Sequence, residues 1–138
     1  MKPHVAPIRT DDDLTDLWRT LMGSGGFDVT SLWLVFVRGD DSVAPLVVPI
    51  DGIPEHPDET VEAVARICSD TLDDQGLASA AFLLSRPGPP HVGESDRAWG
   101  RALLGTADSR LRRWPVHLAT HGTVRVLPLD DLLETSAR

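Results

Sequence analysis

The chain has 138 residues, 41% of them apolar, and a formal net charge of −8. That length suits one domain with one core, 1–138, and the apolar share is too high for a disordered chain. The acidic balance argues against a nucleic-acid or anionic-membrane surface, where binding relies on clustered Lys and Arg.

In chain order, residues 1–10 read as a loose arm. "DDDLTDLWRTLMG" then reads as a short helix, with Asp11, Asp12 and Asp13 at the end where the helix dipole favours negative charge. An Asp triplet also raises metal binding, but consecutive helical positions point in different directions, so the charged helix start is the better reading. Leu14, Leu17, Trp18 and Leu21 form its apolar stripe, and "GSGG" ends it. "SLWLVFV", 31–37, is apolar on both faces, as an interior strand is. "RGDDS" is a turn and needs no adhesion reading. "VAPLVVPI", 43–50, is a second strand, antiparallel to the first. Pro45 and Pro49 lack N–H groups and put it at an edge or give it a bulge.

The next helix spans 56–76, with His56 in its entry. Val61, Val64, Ala65, Cys68 and Leu72 recur at three- and four-residue steps, and Gly76 fits its end. Cys68, the sole cysteine, reads as a buried structural thiol. "ASAAFLL", 78–84, is another interior strand. After the loop "SRPGPPHVGES" a helix runs from about Asp96 to Arg112, with Trp99, Leu103, Ala107 and Leu111 on one side and Arg110, Arg112 and Arg113 at its C-terminal end. "WPVHLA" and "TVRVL" form a hairpin around "THG", and "PLDDLLE" is a short closing helix. The order α-β-β-α-β-α-β-β-α predicts an α/β fold with a mixed sheet, helices on its faces, and parallel strands joined by right-handed crossovers. No apolar run approaches the ~20 residues that cross a bilayer, and the N-terminus lacks an apolar signal core. A cytoplasmic location is the resulting expectation.

The stretch from Ser31 to Leu127 resembles the RadC-like JAB domain of bacteria, a three-layer α-β-α architecture of the cytidine-deaminase-like kind. "LWLVFVR", "EHPDETVEAV", "ASAAFLLSRPGPPHVGESD" and "VHLATHG" carry the resemblance. The family's metal motif has two histidines two residues apart, then proline, then an aspartate. The resemblance places Leu84 and Arg86 where those histidines stand and keeps Asp96; Gly93 replaces the motif serine. Leucine has no lone pair to donate and arginine is a fixed cation, so this set cannot hold zinc. The family's upstream glutamate falls near Val47 or Val48, and Asp51, the nearest acid, is placed outside the strand.

The residues left for function are Arg86, His91, Asp96, Trp114 and His117. A salt bridge from Arg86 to Asp96 or Glu94 is preferred to anion binding, because Pro87, Pro89 and Pro90 offer no N–H. His91, Asp96 and His117 form the alternative, a metal-dependent hydrolase with a rearranged site. His4, His56 and His121 have simpler readings in the arm, a helix entry and a turn. Ser85, Ser95 and Cys68 sit in no nucleophile elbow. Trp33 and Trp99 are assigned to the core; Trp114 is expected to be partly exposed and to anchor a partner. The first functional expectation is a non-catalytic domain, without cofactor, that binds protein or a second copy of itself through an edge strand.

Overall fold

The computed structural model describes residues 6–23 and 26–128. Residues 1–5 of the N-terminal arm, His4 among them, and the closing helix from Leu129 onward lie outside the described residues. Helix α1 spans Asp11–Met22, β1 Ser31–Val37, β2 Val43–Asp51, α2 Glu59–Gln75, β3 Ser79–Ser85, α3 Glu94–Leu104, β4 His117–Thr120 and β5 Thr123–Val126. The sheet has five strands in the order β2-β1-β3-β4-β5. Only β3 and β4 are parallel; the other neighbouring pairs are antiparallel.

The two strands that are apolar on both faces occupy interior positions. Strand β1 lies between β2 and β3, and β3 between β1 and β4. The proline-bearing β2 takes an edge, and its register with β1 shifts between Val35 and Val37, so edge and bulge occur together. This ordering corrects one expected crossover. The β3-α3-β4 unit pairs in parallel, but β1 separates β2 from β3, so β2-α2-β3 does not. An all-apolar β1 needs a neighbour on each side, which the proline-bearing β2 does not.

Helices cover both faces of the sheet. On one side α2 and α3 pack Val64, Cys68, Leu72, Trp99 and Leu103 against Leu32, Leu34, Phe82, Leu84 and Leu118. On the other, α1 packs Leu14, Leu17 and Trp18 against Val35, Ala81, Leu83, Ala119 and Val124. Each of those three α1 side chains contributes about 1.5–3 kcal/mol by leaving water. Helix α1 is closed at its start by a capping box: Thr10 accepts from the Asp13 N–H, and the Asp13 carboxylate accepts from the Thr10 N–H. Asp58 caps α2, and Gly76 ends it in the left-handed conformation, φ 62°.

Three sequence expectations differ. Leu21 is exposed instead of completing the α1 stripe. Helix α3 ends at Leu104, and a 3-10 turn at Ser109–Leu111 returns Leu111 to the core while Ala107 is exposed. Arg110 therefore lies outside α3. It pairs with Asp108 and reaches Asp73 of α2, while Asp108 also accepts from the Ser69 hydroxyl. Those contacts hold the Asp108 carboxyl well below the usual carboxylate range, the Arg110 guanidinium being the first cause. Asp51 is the last residue of β2, not outside it, and accepts from Ser31 Oγ at 2.7 Å.

Among the described residues no helix is long and apolar enough to cross a membrane.

Candidate functional site

The loop between β3 and α3 is organised by one side chain. Strand β3 ends at Ser85, whose hydroxyl accepts from the Trp33 indole N–H at 2.9 Å. The Arg86 N–H donates to Ala119 O, extending the parallel ladder by one bond and fixing where the Arg86 side chain begins. Its guanidinium then meets Asp96 in a two-pronged pair, Nε to Oδ1 and Nη2 to Oδ2, both 2.8 Å. Nη1 donates to the carbonyls of Pro87 and Pro89 at 3.0 and 2.9 Å, and Nη2 also donates to the carbonyl of His91 at 2.9 Å. A guanidinium has five N–H groups, so every one is used.

Asp96 is the third residue of α3. Its Oδ2 also accepts from the Gly93 N–H at 2.8 Å, which satisfies one of the free donors at the helix start. The residue is 4% exposed, and the Arg86 side chain 17%. The carboxylate raises the Arg86 pKa above its ordinary value, so the guanidinium keeps its charge throughout the working pH range. Gly88 turns the loop around the guanidinium at φ 98°, and a Cβ there would stand 3.4 Å from Arg86 Nη1. Two bonds anchor α3 to the segment before α2: Ser95 Oγ donates to Glu55 O, and Trp99 Nε1 donates to Pro54 O at 2.9 Å.

This arrangement answers the choice between anion site and salt bridge. Arg86 has no N–H left for a ligand, and the proline-rich loop serves it through carbonyls. Proline lacks a donor but keeps its acceptor, so a segment unsuited to phosphate suits a cation. Sequence reasoning found the charged pair and missed the three carbonyls. The available signal was the density of prolines beside a lone arginine.

The other site residues are not brought to this pair. His91 contributes its carbonyl, and its residue is exposed. His117 is 0% exposed and lies in the α1 layer, across the sheet from α3: its Nε2 is 2.7 Å from Thr15 Oγ1, and its Nδ1 is 3.3 Å from Pro115 O. Burial pushes its pKa down to about 4. His91, Asp96 and His117 thus do not converge, and among the described residues no group of three His, Cys, Asp or Glu side chains is placed to hold a metal. Trp114 corrects an expectation directly. It is 5% exposed, its Nε1 donates to Ser79 Oγ at 2.9 Å, and the Arg113 guanidinium lies 4.6 Å from its ring centroid. The indole is a core group, with no exposed ring to anchor a partner.

Cys68 is buried, and desolvation pushes its thiol up to about 12, so it is no nucleophile at neutral pH. The chemistry assembled at this loop is that of a neutralised, hydrogen-bonded ion pair. In comparisons with known proteins, no family model matches the chain, and no curated protein matches it.

Proposed function

We propose that the chain is a degenerate RadC/JAB-like domain of the cytidine-deaminase-like architecture, non-catalytic, and acting by binding protein. The observation that carries this reading is the Arg86–Asp96 pair at the β3–α3 connection. The family resembled holds zinc there with two imidazoles and a carboxylate. The residues present do not fit that ion. Leu84 is packed in the core, Arg86 is a permanent cation, and the Asp96 oxygens already receive three N–H groups. No hydrolytic step follows from such a set. The architectural half of the reading is supported by the strand order β2-β1-β3-β4-β5, with one helix on one face and two on the other.

The binding mode that best suits the sheet is addition of a strand from a second copy along β5. Strand β2, the other edge, carries Pro45 and Pro49 and a register shift, which blunt pairing; β5 contains no proline. Light scattering on untagged protein from micromolar to millimolar concentration tests this. A mass rising toward that of two chains is the expected result, and the mass of one chain at every concentration contradicts self-association.

A further inference from the structure

We propose that α1 is a proton-released latch: acidification frees this helix from the sheet while the strands remain paired. Helix α1 belongs to no ladder. Among the described residues, its layer is attached through the apolar face of Leu14, Leu17 and Trp18, through the Ile8 N–H and the exposed Arg9 guanidinium on Asp41, and through Thr15 on His117. One of those attachments is imperfect, because Trp18 Nε1 is buried without a hydrogen-bond partner. Strands β1 and β3, by contrast, hold each other by continuous backbone pairing.

The Thr15–His117 contact is the attachment that a proton alters. The imidazole is fully buried between α1 and β4, and Pro115 O faces its Nδ1. Nδ1–H donating to that carbonyl leaves Nε2 to accept from the Thr15 hydroxyl, so the neutral ring is matched on both sides. A second proton on Nε2 turns that acceptor into a donor. It forces the single Thr15 hydroxyl hydrogen back onto Asp11 O, 3.0 Å away, and places a cation in a dry layer. The charged side chains acting on the ring are Asp11, which favours the proton, and Arg19, which opposes it, both on α1. The strands flanking β4 place Leu83 and Val126 opposite His117, and neither titrates. Lifting α1 returns the ring to water.

The size of the effect follows from linkage. The folded pKa of about 4 lies below the ordinary 6.5, so the closed form is disfavoured as pH falls from 6.5 to 4. Between pH 7 and pH 5 the open population rises about 20-fold when the open state titrates at the ordinary value.

Hydrogen exchange of the intact chain, corrected for intrinsic rates, tests the latch. The expected result is a fall of about 20-fold in protection of the α1 amides between pH 7 and pH 5. At pH 5 those amides should also exchange faster than amides of β1 and β3, and His117→Gln should remove the pH dependence. Unchanged α1 protection at pH 5, or one common rate for α1, β1 and β3, overturns the proposal. Should His117→Gln not fold, the wild-type ring decides by nuclear magnetic resonance. Titration near pH 4 supports the latch, and titration near 6.5 overturns it.

Discussion

Replacing Arg86 with methionine removes all five N–H groups and keeps most of the stem volume. The carbonyls of Pro87, Pro89 and His91 belong to exposed residues and turn to water at little cost. Asp96 has no such exit. It is 4% exposed and retains only the Gly93 N–H of its three donors. Stranding one partner of a buried ion pair costs about 3–5 kcal/mol, against about 5–15 kcal/mol for a whole domain. Asp96→Asn keeps an acceptor for Gly93 and removes the charge, so it costs less, about 1.5–3 kcal/mol. The double variant Arg86→Met, Asp96→Leu removes the stranded charge and should be more stable than Arg86→Met alone, so the two sites are strongly non-additive. Urea unfolding followed by tryptophan fluorescence gives these values, since Trp99 sits in the helix that Asp96 starts. An Arg86→Met variant within about 0.5 kcal/mol of the parent, or effects that simply add, refutes a buried pair organising the loop.

Two further outcomes rest on single side chains. The Cys68 thiol, pushed up to about 12 by burial, should resist a thiol-specific disulfide reagent at pH 8 in native protein and react at once in denaturant; rapid native labelling contradicts its placement. Trp18→Phe should cost less than Trp99→Phe. The first removes an unpartnered indole N–H along with packing, whereas the second leaves Pro54 O without its donor; equal losses in urea unfolding would contradict this.

The elements best read from sequence are those whose ends carry chemistry as well as periodicity. Gly76 ends α2 as read, because a left-handed residue is needed there, whereas the start read at 56 falls at Glu59, behind the Asp58 cap. The long reading of α3 failed because Leu111 stands eight residues after Leu103, a helical multiple. The chain breaks at Gly105 and still returns Leu111 to the same core through a 3-10 turn. Apolar spacing alone does not separate those paths.

Arg86 and Asp96 were legible as a pair because opposite charges at a loop and a helix start have few other partners. The carbonyls completing the guanidinium were not, since side-chain identity does not say where backbone oxygens point. His117 shows a related limit. Strand alternation separates its face from that of Leu118, but it does not say that α1 rather than α3 covers that face. Trp114 stands between a charged residue, Arg113, and a turn former, Pro115, yet Ser79 at the start of β3 gives its indole an interior partner.

In the proposed RadC/JAB-like reading a guanidinium stands where the resembled family keeps a zinc ion, and the metal content of the purified chain tests this most directly. Protein prepared without an affinity tag, exposed to zinc and then dialysed, should retain well under one equivalent. One zinc per chain that disappears in Asp96→Ala would contradict the account.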